Sequence, residues 1–167
     1  MNFDLAFEKL IGHEGGLTLD PKDRGNWTTG VIGKGELKGT KYGISAMAYP
    51  SEDIQALTLE RAKQLYRRDY WDAVKADNMP DAIRMPLFDA AVNSGVKQAV
   101  KWLQTAAKAE PDGIIGPKTM LAVRMADPHL LARRFLGLRL RFMTDTRVWA
   151  TYSRGWARRI ADNLLEA

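Results

Sequence analysis

The chain predicts a mainly α fold with one small β-hairpin region. Apolar residues recur at helical spacing near the start and through the second half, while one glycine-rich stretch between them holds only short apolar pieces. A length of 167 residues is enough to bury a core, and the absence of cysteine removes disulfide staples and thiolate metal sites. With 46% hydrophobic and 27% charged residues, collagen-like, disordered and coiled-coil classes are poor fits.

Asn2 is placed to cap a first helix through Phe3, Ala6, Phe7, Leu10 and Ile11, which Gly15-Gly16 ends. Glu14 then lies at the helix's C-terminal edge. Residues 17–45 carry Gly25, Gly30, Gly33, Gly35, Gly39 and Gly43 around Val31-Ile32 and Tyr42–Ile44, a pattern for a loop with a small hairpin. An irregular stretch of that length in a compact domain is usually functional or disordered, and Trp27, Tyr42 and Ile44 argue against disorder. From about Ser51 the pattern is helical, with Leu59, Ala62, Leu65, Tyr66 and Tyr70 on one face and Trp71 closing the segment. Pro80 and Pro86 punctuate the approach to a short buried helix, Leu87 to Ala91, stopped by Asn93-Ser94-Gly95. Val96 to Ala107 resumes helical spacing, Pro117 opens another helix, Pro128 breaks it, and Leu131 to Phe142 and Trp156 to Leu164 mark the last two. Motif content divides the chain into residues 1–80, with the acidic loop and β region, and residues 81–167, all helical.

The net charge of +5 is local: residues 124–167 hold nine arginines, no lysine and four acids, and the remainder balances. Two readings stand side by side. Such a tail attracts any polyanion, whether nucleic acid, anionic membrane or wall polymer; equally, it is a solvated helix face whose arginine stems cover apolar neighbours. No nucleic-acid motif is present. No apolar run reaches the ~18–20 residues of a membrane span, and Met1-Asn2-Phe3-Asp4 lacks a basic segment with an apolar stretch behind it, so cytosolic synthesis without a secretion signal and no stable membrane insertion are expected.

Nucleophile and metal chemistry find little support. The two histidines, His13 and His129, are far apart without ligand-like spacing, and no phosphate-binding loop occurs. Carboxylates remain. The helix-end position of Glu14, beside the negative end of the macrodipole and with an apolar wall behind it, disfavours ionisation and suits a general acid. Asp20 and Asp23 follow in the loop, with Thr29 and Thr40 as hydroxyls able to hold a water. Asp20 and Asp23 are also ordinary turn residues before and after Pro21, and pattern alone does not separate the two roles. Trp27, Tyr42, Trp71 and Trp102 are candidates for stacking on a ligand or for the core. Asn93 either contacts a ligand or caps its turn.

At these residues the chain resembles the glycoside hydrolase family 108 muramidases, many of them phage endolysins. The resemblance rests on His13-Glu14-Gly15-Gly16, Asp20-Pro21-Lys22-Asp23-Arg24-Gly25 and Thr40-Lys41-Tyr42-Gly43-Ile44, then Leu87–Gly95, Leu103-Gln104, Asp112–Thr119 and Gly155–Arg159, ordered blocks over nearly the whole chain. It implies a lysozyme-like, two-lobed fold with a peptidoglycan-binding helical segment, Glu14 as catalytic acid and no cofactor or metal. The implied reaction is cleavage of the β-1,4 bond between N-acetylmuramic acid and N-acetylglucosamine. Asp23 is the expected second group with Asp20 in reserve, Thr40 the expected threonine, and Trp27, Tyr42 and Asn93 the expected substrate contacts. The chain departs from the family pattern where Asn26 replaces a second glycine and Trp27–Gly39 intervene before the threonine block. Thr29 remains an alternative, because Glu14, Asp23 and Thr29 reproduce a spacing similar to the triad of T4-type phage lysozymes. Peptidoglycan as partner, a monomer, holin-dependent release from the host cytoplasm and action in the periplasm or cell wall complete the expectation, with lytic transglycosylase and non-catalytic wall-binding module as rivals.

Overall fold

A computed structural model describes residues 1–11 and 16–166. Its described residues form seven α-helices and one two-stranded antiparallel sheet, the mainly α, lysozyme-like class expected. The chain divides into two compact units, one of residues 7–67 and one of residues 1–6 with 68–167.

The unit of residues 7–67 begins within helix α1 (Phe3–Ile11), whose first turn Asn2 caps by accepting from the Leu5 N–H at 3.0 Å. A long loop follows, braced by a short 3-10 turn (Arg24–Asn26) and by backbone bridges from Thr18 to Thr40 and from Trp27 to Leu37. Strands β1 (Thr40–Lys41) and β2 (Ile44–Ser45) pair with Thr40 opposite Ser45 and Lys41 opposite Ile44. The connecting pair Tyr42-Gly43 has φ of 51° and 73°, the two positive values that a tight hairpin turn of matching twist requires. Glycine at 43 answers a second demand, since a Cβ there would lie 2.4 Å from the Tyr66 hydroxyl, which donates to the Tyr42 carbonyl at 3.2 Å. Val31 and Ile32 are not strand residues; they lie exposed in a turn. Helix α2 (Leu59–Tyr66) starts later than the apolar pattern suggests, because the Thr58 hydroxyl caps it by accepting from the Arg61 N–H at 3.1 Å. Residues before it form turns, secured by Arg61 on Glu52 at 2.5 and 3.3 Å. Phe7, Ile44, Ile54, Leu57, Leu65 and Tyr66 make this unit's core, with Phe7 edge-on to Tyr66 at 5.4 Å between centroids.

The other unit is built on helix α3 (Asp81–Ser94), against which helices α4 (Val96–Ala106), α6 (Pro128–Thr144) and α7 (Trp149–Glu166) pack. Helix α3 is longer than the sequence suggests. It runs through Pro86, whose ring is buried, and is apolar on most sides because it is covered from several directions. Phe3, Trp71 and Phe88 meet edge-to-face at 5.4–6.0 Å, and the Trp71 indole N–H donates to Asp77 at 3.0 Å. Trp71 and Trp102 are therefore core residues. Helix α5 (Pro117–Met125) begins on its proline as the sequence suggests. The loop before it is clasped by buried Gln104, which accepts from the Gly113 N–H at 2.8 Å and donates to Asp112, Ile114 and Thr119 within 2.7–3.0 Å. The sequence blocks around Gln104 and Asp112–Thr119 are thus one structural device. Pro128 opens α6, with the Asp127 carboxylate accepting from the Leu130 N–H at 2.7 Å. No helix of the described residues is long and apolar enough to cross a membrane.

Candidate active site

The acidic loop and its threonines belong to the unit of residues 7–67. Glu14 and its neighbour His13 lie outside the described residues. Asp20 and Asp23 are both exposed, and both shape turns: Asp20 Oδ1 accepts from the Lys22 N–H at 2.9 Å, and Asp23 Oδ1 caps the 3-10 turn by accepting from the Gly25 N–H at 2.8 Å. The turn role weighed from sequence is therefore present, and it engages one oxygen of each carboxylate.

What the loop folds around is Asn26. Its side chain is fully buried, and its amide nitrogen donates to the Asp20 carbonyl at 3.0 Å. A carbonyl only accepts, which assigns Nδ2 to that side and leaves Oδ1 facing the Thr40 hydroxyl at 2.7 Å. Thr40 must then donate its proton to Asn26. The Asn26 carbonyl in turn accepts from the Lys38 and Gly39 N–H groups, both at 3.0 Å. One residue so joins the Asp20–Arg24 segment to the threonine block across fourteen positions of sequence. The buried Asn26 thus holds the ends of the Trp27–Gly39 segment together. Gly39 makes the last link possible, with φ of 90° and the Thr18 carbonyl 2.4 Å from where a Cβ would sit.

Thr40 is half-buried beside this hub, its lone pairs left to accept a hydrogen. Thr29 is elsewhere engaged: its hydroxyl donates to the Lys34 carbonyl at 2.8 Å and accepts from the Val31 N–H at 3.3 Å, closing its own turn. Trp27 is half-buried and pinned through its indole N–H to the Pro21 carbonyl at 2.9 Å, which fixes the ring beside the acidic turn. Tyr42 occupies the hairpin turn, with the Lys41 ammonium 5.6 Å from its ring centroid. The loop thus joins two carboxylates, an acceptor hydroxyl and a fixed indole.

Asn93 belongs to the other unit, in the last turn of α3, where its amide donates to the Asp89 carbonyl at 2.8 Å and to Asp89 Oδ1 at 3.0 Å. Asp89 itself is buried and holds two guanidinium groups, those of Arg139 from α6 and Arg159 from α7. Sequence reasoning missed Asn26, Asp89 and Arg139. Two of them leave a visible trace: Asp89 stands alone in the apolar run Leu87–Val92, and Arg139 falls on the four-residue stripe of Leu131, Phe135 and Met143. Among the described residues no cluster of acidic or histidine side chains is arranged to hold a metal ion.

A sequence model described as Glycosyl hydrolase 108 matches residues 7–95, and one described as Predicted Peptidoglycan domain matches residues 98–161. No curated protein matches the chain. Among solved structures, Brucella abortus SagA is similar at a TM-score of 0.80 and 29% identity, over 97% of this chain and 91% of that one. With the catalytic-family match spanning the acidic loop, the hairpin and α3, and the wall-domain match spanning α4 to α7, the chain belongs to the glycosyl hydrolase 108 family and is a glycoside hydrolase that acts on peptidoglycan.

Proposed function

We propose that the protein is a muramidase that hydrolyses the β-1,4 bond between N-acetylmuramic acid and N-acetylglucosamine, with Glu14 as general acid. The observation that carries this reading is the Asn26 hub, which gathers the Asp20–Asp23 turn and Thr40 in the part of the chain matched by the glycosyl hydrolase model. Protonated Glu14 would give its proton to the leaving oxygen as positive charge develops at the anomeric carbon. Asp23 is assigned the second role, stabilising that charge or activating water, with Asp20 in reserve. Thr40 suits the orientation of the attacking water, because its own proton goes to Asn26 and its oxygen is left to accept. Thr29, whose hydroxyl closes a local turn, is the weaker choice. Trp27 and Tyr42 are assigned to sugar rings; Asn93, whose amide nitrogen is taken by Asp89, is the weaker choice for a substrate contact.

The engagement of both loop carboxylates in turns favours one alternative, a lytic transglycosylase that needs no second carboxylate and leaves a 1,6-anhydro product. Product mass separates the two, since hydrolysis adds one water. We further place the protein as an endolysin that waits as a monomer in the host cytoplasm and reaches the wall through a holin, a reading supported by the family resemblance of the sequence.

The deciding experiment is Glu14→Gln on permeabilised Gram-negative cells and purified walls, read as turbidity loss and release of reducing ends. General-acid removal is expected to lower turnover by ~10²–10⁴-fold. Turnover within about tenfold of wild type, a barrier change of only ~1.4 kcal/mol, would discard Glu14 as the acid.

A further inference from the structure

The unit of residues 1–6 and 68–167 holds a cavity of about 220 Å³ that the loop chemistry does not use. Arg139, Arg159, Asn93, Thr146, Phe142 and Trp156 are among the residues lining it. A single ordered water needs only ~10–15 Å³ of such space, so the cavity has room for a small organic group.

Its charge is unbalanced. Asp89 accepts from Arg139 Nη1 through Oδ2, and from Arg159 Nη1 at 2.7 Å and Asn93 Nδ2 at 3.0 Å through Oδ1. One carboxylate thus faces two guanidinium groups, and one positive charge remains without a counter-charge in that cluster. Arg139 is fully buried, and its Nε and Nη2 have no hydrogen-bond partner. A buried guanidinium left so incompletely paired is costly, which gives the cluster a standing affinity for a second anion. Arg159 is where that anion can arrive, because its side chain is 40% exposed while Nη1 is held on Asp89. A held guanidinium offers a planar fork that matches a carboxylate, and Trp156 and Phe142 supply apolar walls beside it.

We propose that this cavity is a carboxylate-binding subsite that takes a carboxylate of the wall's peptide stem against Arg159, with buried Arg139 supplying the unneutralised charge behind it. The proposal rests on the reading that the protein acts on peptidoglycan. Asn93 then acts through Asp89, as a positioning residue that keeps the acceptor turned toward both arginines.

The test compares equilibrium binding of the wild-type protein to two soluble disaccharide-peptides, one with free stem carboxylates and one with them converted to methylamides. The free form is expected to bind about 10- to 100-fold more tightly, the range for one charge-assisted contact. Equal affinity overturns the proposal, and no variant has to fold for that result. Arg159→Gln, which keeps a donor for Asp89, is expected to bind both ligands alike. A variant that stays folded by circular dichroism and still prefers the free carboxylates shows that Arg159 is only a structural tie, and overturns the assignment. Co-sedimentation with insoluble walls supplies the last arm: amidase-stripped walls, which keep only lactyl carboxylates, should lose most of the binding, and undiminished binding overturns the peptide as source. Failure of the muramidase reading would show separately, as walls that release no reducing ends whatever the binding preference.

Discussion

Replacing Asn26 by alanine tests whether one buried amide holds the acidic loop to the hairpin. The substitution removes two hydrogen bonds, the one donated to the Asp20 carbonyl at 3.0 Å and the one accepted from Thr40 at 2.7 Å. Each is worth ~0.5–1.5 kcal/mol net, and leaving the half-buried Thr40 hydroxyl short of an acceptor adds a penalty of ~1 kcal/mol. The expected destabilisation is therefore about 2–4 kcal/mol, at or above the upper end of ordinary single substitutions. Thr40→Val removes one of the two bonds and leaves the fully buried Asn26 Oδ1 without that donor, so it should cost ~1.5–3 kcal/mol. Urea unfolding followed by far-UV circular dichroism and tryptophan fluorescence gives both values, and an unchanged m-value confirms that stability rather than compactness moved. In the double variant the Asn26–Thr40 bond is lost once, not twice, so the effects should fall short of additive by ~1 kcal/mol. A loss below ~0.5 kcal/mol for Asn26→Ala, or full additivity with Thr40→Val, would refute the hub.

Three further perturbations follow from the geometry. Gly43→Ala forces a side chain onto a φ of 73° and sets a Cβ 2.4 Å from the Tyr66 hydroxyl; it should cost ~1–3 kcal/mol, read as a lowered Tm, and less in a Tyr66→Phe background where that oxygen is absent. Asp89→Ala strips the shared counter-charge from Arg139 and Arg159 and should cost ~3–5 kcal/mol in urea unfolding, a loss under ~1 kcal/mol meaning the cluster is not held by charge. Hydrogen bonds from Gln104 and from the Ile114 N–H hold the Asp112 carboxyl below the ordinary aspartate value of 3.8. A carboxyl depressed in the folded state stabilises fully above its ordinary value and loses that contribution as pH falls through its folded value. As pH falls below the ordinary aspartate value of 3.8, stability should therefore drop with a component that Asp112→Asn removes, and identical slopes for the two proteins would reject the assignment.

Much of this architecture was legible from spacing. Leu103, Leu131, Phe135 and Ile160 fall on the predicted helical stripes and are buried on α4, α6 and α7, whereas Phe142 and Leu164 on the same stripes are exposed. The short apolar pieces Val31-Ile32 and Tyr42–Ile44 in a glycine-rich stretch predict a hairpin, which forms at the second with Tyr42-Gly43 as its turn, while Val31-Ile32 lies exposed. Helix α3 was cut short because Pro86 reads as a break, whereas tertiary burial on several sides carries the helix through the lost bond. The acids at positions 20 and 23 were visible as residue types, but their partners are backbone groups that no side-chain pattern encodes. Asn26 reads from sequence as a departure and not as a hub, since its partners at positions 20, 38, 39 and 40 are set by a loop path without periodicity. Arg139 was counted with the surface charge of the tail because a stripe position does not reveal whether an acid waits opposite it.

The edge-to-face cluster of Phe3 with Trp71 and Phe88 has a consequence for biosynthesis. The segment of residues 7–67 is an insertion within the other unit's sequence, so Phe3 leaves the ribosome early and waits for aromatic partners translated long after it. The inserted segment is contiguous and can begin to collapse during that wait, whereas the flanking helices complete their core only near the end of translation. Shortening the chain at its start by even a few residues would therefore damage the late-folding half, far along the sequence from the cut.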